Sequence, residues 1–153
     1  MKKNLLLILF FITANICIAQ NELAFVKTSF VIVQSTKDYD SAKATAANAA
    51  LDLKEKLDLR DLKPHKKSGL TFSKKDCEDT GGYPCYLARG RYDTGSYISI
   101  EWSNAIQGFA KGYYVVIAAS GTKEETAPVL KKAKEFFKGA YVKQSNVYVG
   151  CMH

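Results

Sequence analysis

The stretch from Tyr113 to Val149 constrains the fold more than any other part of the chain. Tyr113 to Ala119 is a continuous apolar run rich in β-branched residues, the pattern of a central strand buried on both faces. Ser120 to Lys138 follows with Val129, Leu130, Ala133, Phe136 and Phe137 at helical spacing and Lys and Glu elsewhere, which predicts an amphipathic helix. Gly139 is expected to stop it, because glycine enters the left-handed conformation without steric cost. Gly139 to Lys143 and Val147 to Val149 then read as a closing strand. Thr122 and Glu125 have capping-box spacing, but Pro128 would then fall well inside the helix. The alternative start is an irregular turn with the regular helix opening only at Pro128.

A weaker copy of this unit lies upstream. Ala24 to Gln34 is rich in Phe and Val, and Ser29 to Gln34 within it reads as a strand. Ser35, Thr36 and Asp38 offer capping oxygens, and a helix to about Leu59 presents Ala42, Ala46, Ala49, Ala50, Leu53 and Leu57 on one face. The two strand-helix units suggest a degenerate internal repeat. The expected fold class is therefore α+β: an antiparallel sheet with two helices on one face, of ferredoxin-like type.

The middle, Asp61 to Gly112, is irregular. Lys63 to Gly69 and Lys74 to Gly82 are polar loops, and His65 reads as a solvated loop residue. Tyr83 to Tyr92 is expected to be a strand, with Cys85, Leu87, Arg89 and Arg91 on one side, forming a hairpin with a strand over Tyr97 to Ser103. In the latter, Ile98, Ile100 and Trp102 share one face and Tyr97, Ser99 and Glu101 the other. Asn104 to Gly112 reads as a loop into the central strand.

Residues 1–19 have the form of a secretory signal: Lys2 and Lys3, an apolar core from Leu5 to Ile12, then Cys17-Ile-Ala19 before Gln20. That core is shorter than the roughly 20 residues of a spanning helix, and Asn15-Ile16 lacks the small residues expected ahead of a lipidated Cys17. The mature chain is expected to be a single domain over 20–153, periplasmic or extracellular, without a transmembrane segment. The whole chain carries 22 basic and 15 acidic residues; removing Lys2 and Lys3 leaves 20 minus 15, a net +5. In an exported protein that balance points to anionic envelope polymers and away from nucleic acid, or simply to solubility.

Export permits disulfides among Cys77, Cys85 and Cys151. Cys77 and Cys85 flank a turn-rich loop and are the first-choice pair; either could instead pair with Cys151. No two cysteines have zinc-ligand spacing, and no phosphate-cradling glycine motif or nucleophile–His arrangement is present. The chain reads as a non-catalytic protein with no metal and no cofactor. A hydrolase built on two carboxylates distant in sequence is the remaining catalytic alternative. The candidate ligand-binding residues are Arg89, Arg91, Tyr92, Tyr97 and Tyr113, because Arg forks pair with carboxylates or phosphates and aromatic faces stack on sugars. Trp102 belongs either to this surface or to the core, and Arg89 and Arg91 could equally serve to protect an exposed sheet edge.

The segment Gly112 to Ala127, with Leu130-Lys-Lys-Ala-Lys134, Gly139-Ala-Tyr-Val-Lys143 and Val147-Tyr-Val-Gly150, resembles a SPOR domain over about 112–150, and more loosely over 30–57. That resemblance implies a strand-helix-strand-strand-helix-strand fold and binding of peptidoglycan, notably glycan strands stripped of stem peptides. The chain departs from the family's pattern where its first strand usually carries Gln: Ile117 stands there, and Ile32 in the first unit. The family's glycan-contacting residues are therefore not transferred. The expected partner is peptidoglycan or another anionic envelope glycan. The alternative is an envelope protein, for which this chain would act as an inhibitor or immunity protein, with the Cys77–Cys85 loop filling a partner's cleft.

Overall fold

A computed structural model describes residues 24–150; residues 1–19, which read as a secretory signal, and Cys151 lie outside them. The main sheet has four strands: β1 (Phe25–Thr36), β4 (Gly95–Trp102), β5 (Tyr114–Gly121) and β6 (Tyr141–Tyr148). Their order is β4-β5-β1-β6, and every neighbouring pair is antiparallel. Helix α1 (Tyr39–Leu53) follows β1, and helix α2 (Lys123–Phe136) follows β5. Between α1 and β4 lies a separate two-stranded sheet, β2 (Lys63–His65) with β3 (Gly69–Thr71). The fold is α+β, and its main-sheet elements run strand-helix-strand-strand-helix-strand with β2 and β3 inserted.

Strand alternation sorts the core into two layers. Val31, Val33, Ile98, Ile100, Val116 and Ala118 point toward the helices and pack with Ala42, Ala46, Ala49, Leu53 and Ala133. Both helices therefore lie on one face. Ala42, Ala46 and Ala49 of α1 are fully buried, with Ala50 partly so, and their small methyl side chains allow close approach of helix and sheet. Phe30, Ile32, Val115 and Ile117 point the other way and are covered by Ile106 and Phe109. The segment Asn104 to Gly112, expected only as a connection, is thus the lid of the second core. It is held by Ser103, whose Oγ accepts from Tyr113 N at 2.9 Å, and by Asn104, whose Oδ1 accepts from Gly112 N at 2.7 Å.

The helix ends differ in part from the sequence expectation. Asp38 caps α1, accepting from Asp40 N at 3.0 Å. The helix stops at Leu53, where Lys54 adopts the left-handed conformation (φ 53°), and Leu57 lies beyond it in a bridge to Ile98. For α2 the capping box forms: Thr122 Oγ1 accepts from Glu125 N, and Glu125 Oε2 accepts from Thr122 N at 2.8 Å. The helix therefore begins at Lys123 and tolerates Pro128 inside it, against the alternative of a start at Pro128. Gly139 is not a left-handed cap; α2 ends at Phe136, and Gly139 is absent from the positive-φ glycines among the described residues. Phe136 is half exposed, while Phe137 joins the core.

The largest departure concerns Tyr83 to Tyr92. These residues form no strand, and β4 pairs with β5 instead of making a hairpin with them. The segment crosses the helix-free side as irregular chain, secured at one end by the Cys77–Cys85 disulfide (Cα–Cα 5.5 Å). Closing so short a loop stabilises by roughly 2–3 kcal/mol. Among the described residues no helix is long and apolar enough to cross a membrane.

Candidate functional site

The sequence candidates fall in three places. Arg89 is fully buried, with the partly buried Tyr97 against it; Arg91 lines one end of a surface groove, with the exposed Tyr92 beside it. Tyr113, partly buried, packs against the second core with Lys37 Nζ 5.6 Å from its ring centroid, apart from the other four.

Arg89 is neither a surface contact nor an edge guard, since it is fully buried. Nε donates to Ser120 Oγ at 3.0 Å; Nη1 donates to Tyr97 O at 2.8 Å, Ser99 Oγ at 3.2 Å and Ile117 O at 3.3 Å; Nη2 donates to Gly95 O. The Tyr97 ring lies 3.4 Å from its guanidinium carbon. Burial pushes the guanidinium below its usual pKa. Beside it sits Glu101, also fully buried. Arg60 Nη1 donates to both of its oxygens, at 3.1 and 2.9 Å, Tyr86 donates its hydroxyl hydrogen to Oε2, and Arg89 N donates to Oε2 at 3.2 Å. Asp93 completes the cluster, 3.5 Å from Arg60 Nε and accepting from the Tyr97 hydroxyl at 3.0 Å. Two cations and two carboxylates thus join the 58–61 turn, the 83–93 segment, β4 and β5. The sequence reading puts Glu101 and Ser99 with Tyr97 on the face opposite Ile98, Ile100 and Trp102. Glu101 is committed to these donors and has the geometry of a structural clamp, not of a general acid or base facing substrate.

Gly90 explains how adjacent arginines diverge. It has φ 108°, a region L side chains rarely adopt, and a Cβ there would stand 2.9 Å from Phe30 Cζ. The turn sends Arg89 inward and Arg91 toward the β1–β6 end. There the Arg91 guanidinium carbon is 5.0 Å from the Tyr92 ring centroid and 5.3 Å from that of Tyr148. Phe25 packs edge-on against Tyr148 at 5.3 Å. These residues open on a groove of about 340 Å³ on the helix-free face, bordered by Phe25, Arg91, Gln107, Asn146 and Tyr148 over a floor that includes Ala88 and Ile106. Phe25 and Tyr148 are 50% and 41% exposed, too much for core residues of a strand pair. Neither was a sequence candidate; each ends a strand, where apolar residues read as termini of the core pattern.

A second cleft, of about 530 Å³, lies between Arg60, Phe72, Tyr86, Leu87 and the disulfide, with Asp61 and Asp76 also lining it. His65 sits in β2, its Nδ1 2.8 Å from Ser68 Oγ and its ring 5.6 Å from that of Tyr83. No group of three or more His, Cys, Asp or Glu suited to a metal ion occurs among the described residues.

Burial pushes the phenols of Tyr39, Tyr86, Tyr97 and Tyr114 upward, with neighbouring carboxylates adding to the effect at Tyr39, Tyr86 and Tyr97. A folded pKa above the unfolded value, about 10 for a phenol, gives stability that is complete below that pH and is lost as pH rises above it. The melting temperature should therefore fall from about pH 10 upward. Absorbance at 295 nm should show part of the tyrosine population ionising only together with unfolding. Full tyrosine ionisation before any loss of circular dichroism would contradict this.

No family model, curated protein or solved structure matches the chain.

Proposed function

We propose that this chain is an exported, non-catalytic binding protein of the bacterial cell envelope, and that it holds a glycan strand, peptidoglycan first, in the groove of the helix-free face. The observation that carries the reading is the groove itself. It combines exposed aromatic rings (Phe25, Tyr148), side-chain amides (Gln107, Asn146) and a guanidinium (Arg91). Sugar rings present C–H faces that stack on aromatics and hydroxyls that pair with amides, so this mixture suits them better than it suits an apolar ligand. The strand-helix-strand-strand-helix-strand order, which the SPOR resemblance implies, supports the same reading.

Co-sedimentation of the mature protein with purified sacculi, with and without stem peptides, tests it. Saturable binding is expected, falling at least tenfold in a Phe25→Ala/Asn146→Ala double variant; both residues are exposed, so the fold should survive. Absence of binding to every sacculus preparation would end the glycan reading. An envelope-protein partner would then lead, on the specific ground that the disulfide-pinned loop exposes Gly81 to Pro84.

A further inference from the structure

We propose that Arg91 forms a carboxylate subsite within this groove, so that the ligand is an acidic glycan, bound through the edge of the guanidinium that carries Nε and Nη2. The inference rests on the glycan reading for the sugar, and on Arg91 alone for the acid.

Arg91 is 8% exposed, yet its Nε is buried with no hydrogen-bond partner among the described residues. Only one other buried side-chain polar atom there, Gln34 Oε1, shares that condition. Native interiors seldom leave such a donor unmade, and an exception calls for a partner. Nε and Nη2 point their hydrogens the same way and together form the edge that receives a two-oxygen acid. Here Nη2 donates to a backbone oxygen, Gly150 O, and among the described residues nothing accepts from Nε. The edge is half filled by a carbonyl, where a carboxylate would supply both oxygens.

The surroundings favour that exchange. The Tyr92 and Tyr148 ring centroids lie 5.0 and 5.3 Å from the guanidinium carbon, within cation–π range. Tyr92 Oη donates to the next carbonyl along, Val149 O, at 3.2 Å. Val149, which also donates its N–H to Ala24 O at 2.7 Å, and Gly150 thus lie across the subsite with hydrogen bonds from the Arg91–Tyr92 pair, and Gly150 O is the atom an incoming carboxylate displaces. Arg91 and the glycan-facing residues Asn146 and Gln107 line the same groove, so one acidic sugar can engage all three. Arg89, with all its nitrogens committed, offers no equivalent edge.

The test compares a disaccharide of N-acetylglucosamine and N-acetylmuramic acid with the same disaccharide as its carboxamide, by calorimetry on the mature protein. In parallel, the Arg91 Nε–H signal is followed by nuclear magnetic resonance during titration with sodium D-lactate, which carries the acid without the sugar. The acid is expected to bind about tenfold better than the amide, with the Nε–H signal shifting in both the sugar and lactate titrations. Arg91→Lys, which keeps the charge but has no Nε edge, should remove most of the preference, so that acid and amide bind within about threefold of each other. Equal binding of acid and amide would overturn the subsite and leave the glycan reading intact. A lactate shift without binding of either disaccharide would sustain the acid site and remove the glycan. An Nε–H signal indifferent to both acids would overturn the proposal even if Arg91→Lys failed to fold.

Discussion

Glu101→Ala should destabilise the domain by about 3–5 kcal/mol, the cost of breaking a buried ion pair from one side. Glu101 is fully buried and accepts from Arg60, Tyr86 and the Arg89 backbone. Its removal strands the Arg60 guanidinium, which is only 14% exposed, and orphans the Tyr86 hydroxyl. A domain of this size has roughly 5–15 kcal/mol in total, so the variant should sit near the edge of folding at 37 °C. Glu101→Gln keeps the shape and one acceptor oxygen and should lose less. The companion variant Arg60→Met/Glu101→Leu removes both charges and should recover part of the loss, because neither partner is left unpaired. Urea unfolding followed by circular dichroism measures all three. A loss below about 1 kcal/mol for Glu101→Ala would mean that water reaches the cluster and that its charges are screened.

Gly69→Ala is expected to cost about 2–4 kcal/mol, from two causes that add. Gly69 has φ 73°, in the left-handed region that disfavours a Cβ. The Cβ would also stand 2.0 Å from Trp102 Cδ2 and 2.2 Å from Cε2, so the indole would have to move. It has little room to do so, because it packs against Tyr114 at 4.9 Å, whose hydroxyl donates to Gly69 O at 3.1 Å. The β2–β3 turn, Trp102 and Tyr114 form one packed unit that joins the small sheet to the large one. Gly139→Ala is the control: nothing lies within 4 Å of its Cβ position and its φ is ordinary. It should be neutral or slightly stabilising. Thermal melts of the two variants should separate clearly; a Gly69→Ala melt equal to wild type would show that the indole repacks freely.

The regular part of this fold is written locally and the site is not. Tyr114–Gly121 and α2 follow from an apolar run and a helical stripe, each readable within one window of sequence. The alanine stripe of α1 is equally local, as is the Cys77–Cys85 pairing across a short loop. The segment 83–92 was misread because alternation of large and small residues resembles a strand, whereas its hydrogen bonds go to side chains and carbonyls far away in sequence. Arg89 and Glu101 look like solvent-facing residues in any short window. Their burial depends on each other, on Arg60 and on Gly90, and no periodicity records such a partnership. The groove has the same character: Phe25, Arg91 and Tyr148 come from three remote positions and meet only because β1 pairs with β6.

That pairing also dictates when the domain can form. Strand β1, the first to leave the ribosome, is an inner strand flanked by β5 and β6, the last two strands made. Phe25 lies opposite Tyr148, so the first and last strands of the main sheet are paired with each other. Until β6 is synthesised, one side of the twelve-residue β1 has no partner, and the contacts that complete the sheet are among the most distant in the chain. Such topologies fold slowly. A nascent chain lacking its final dozen or so residues should remain sensitive to protease. A chain of this topology stays open until β6 has been made and paired with β1.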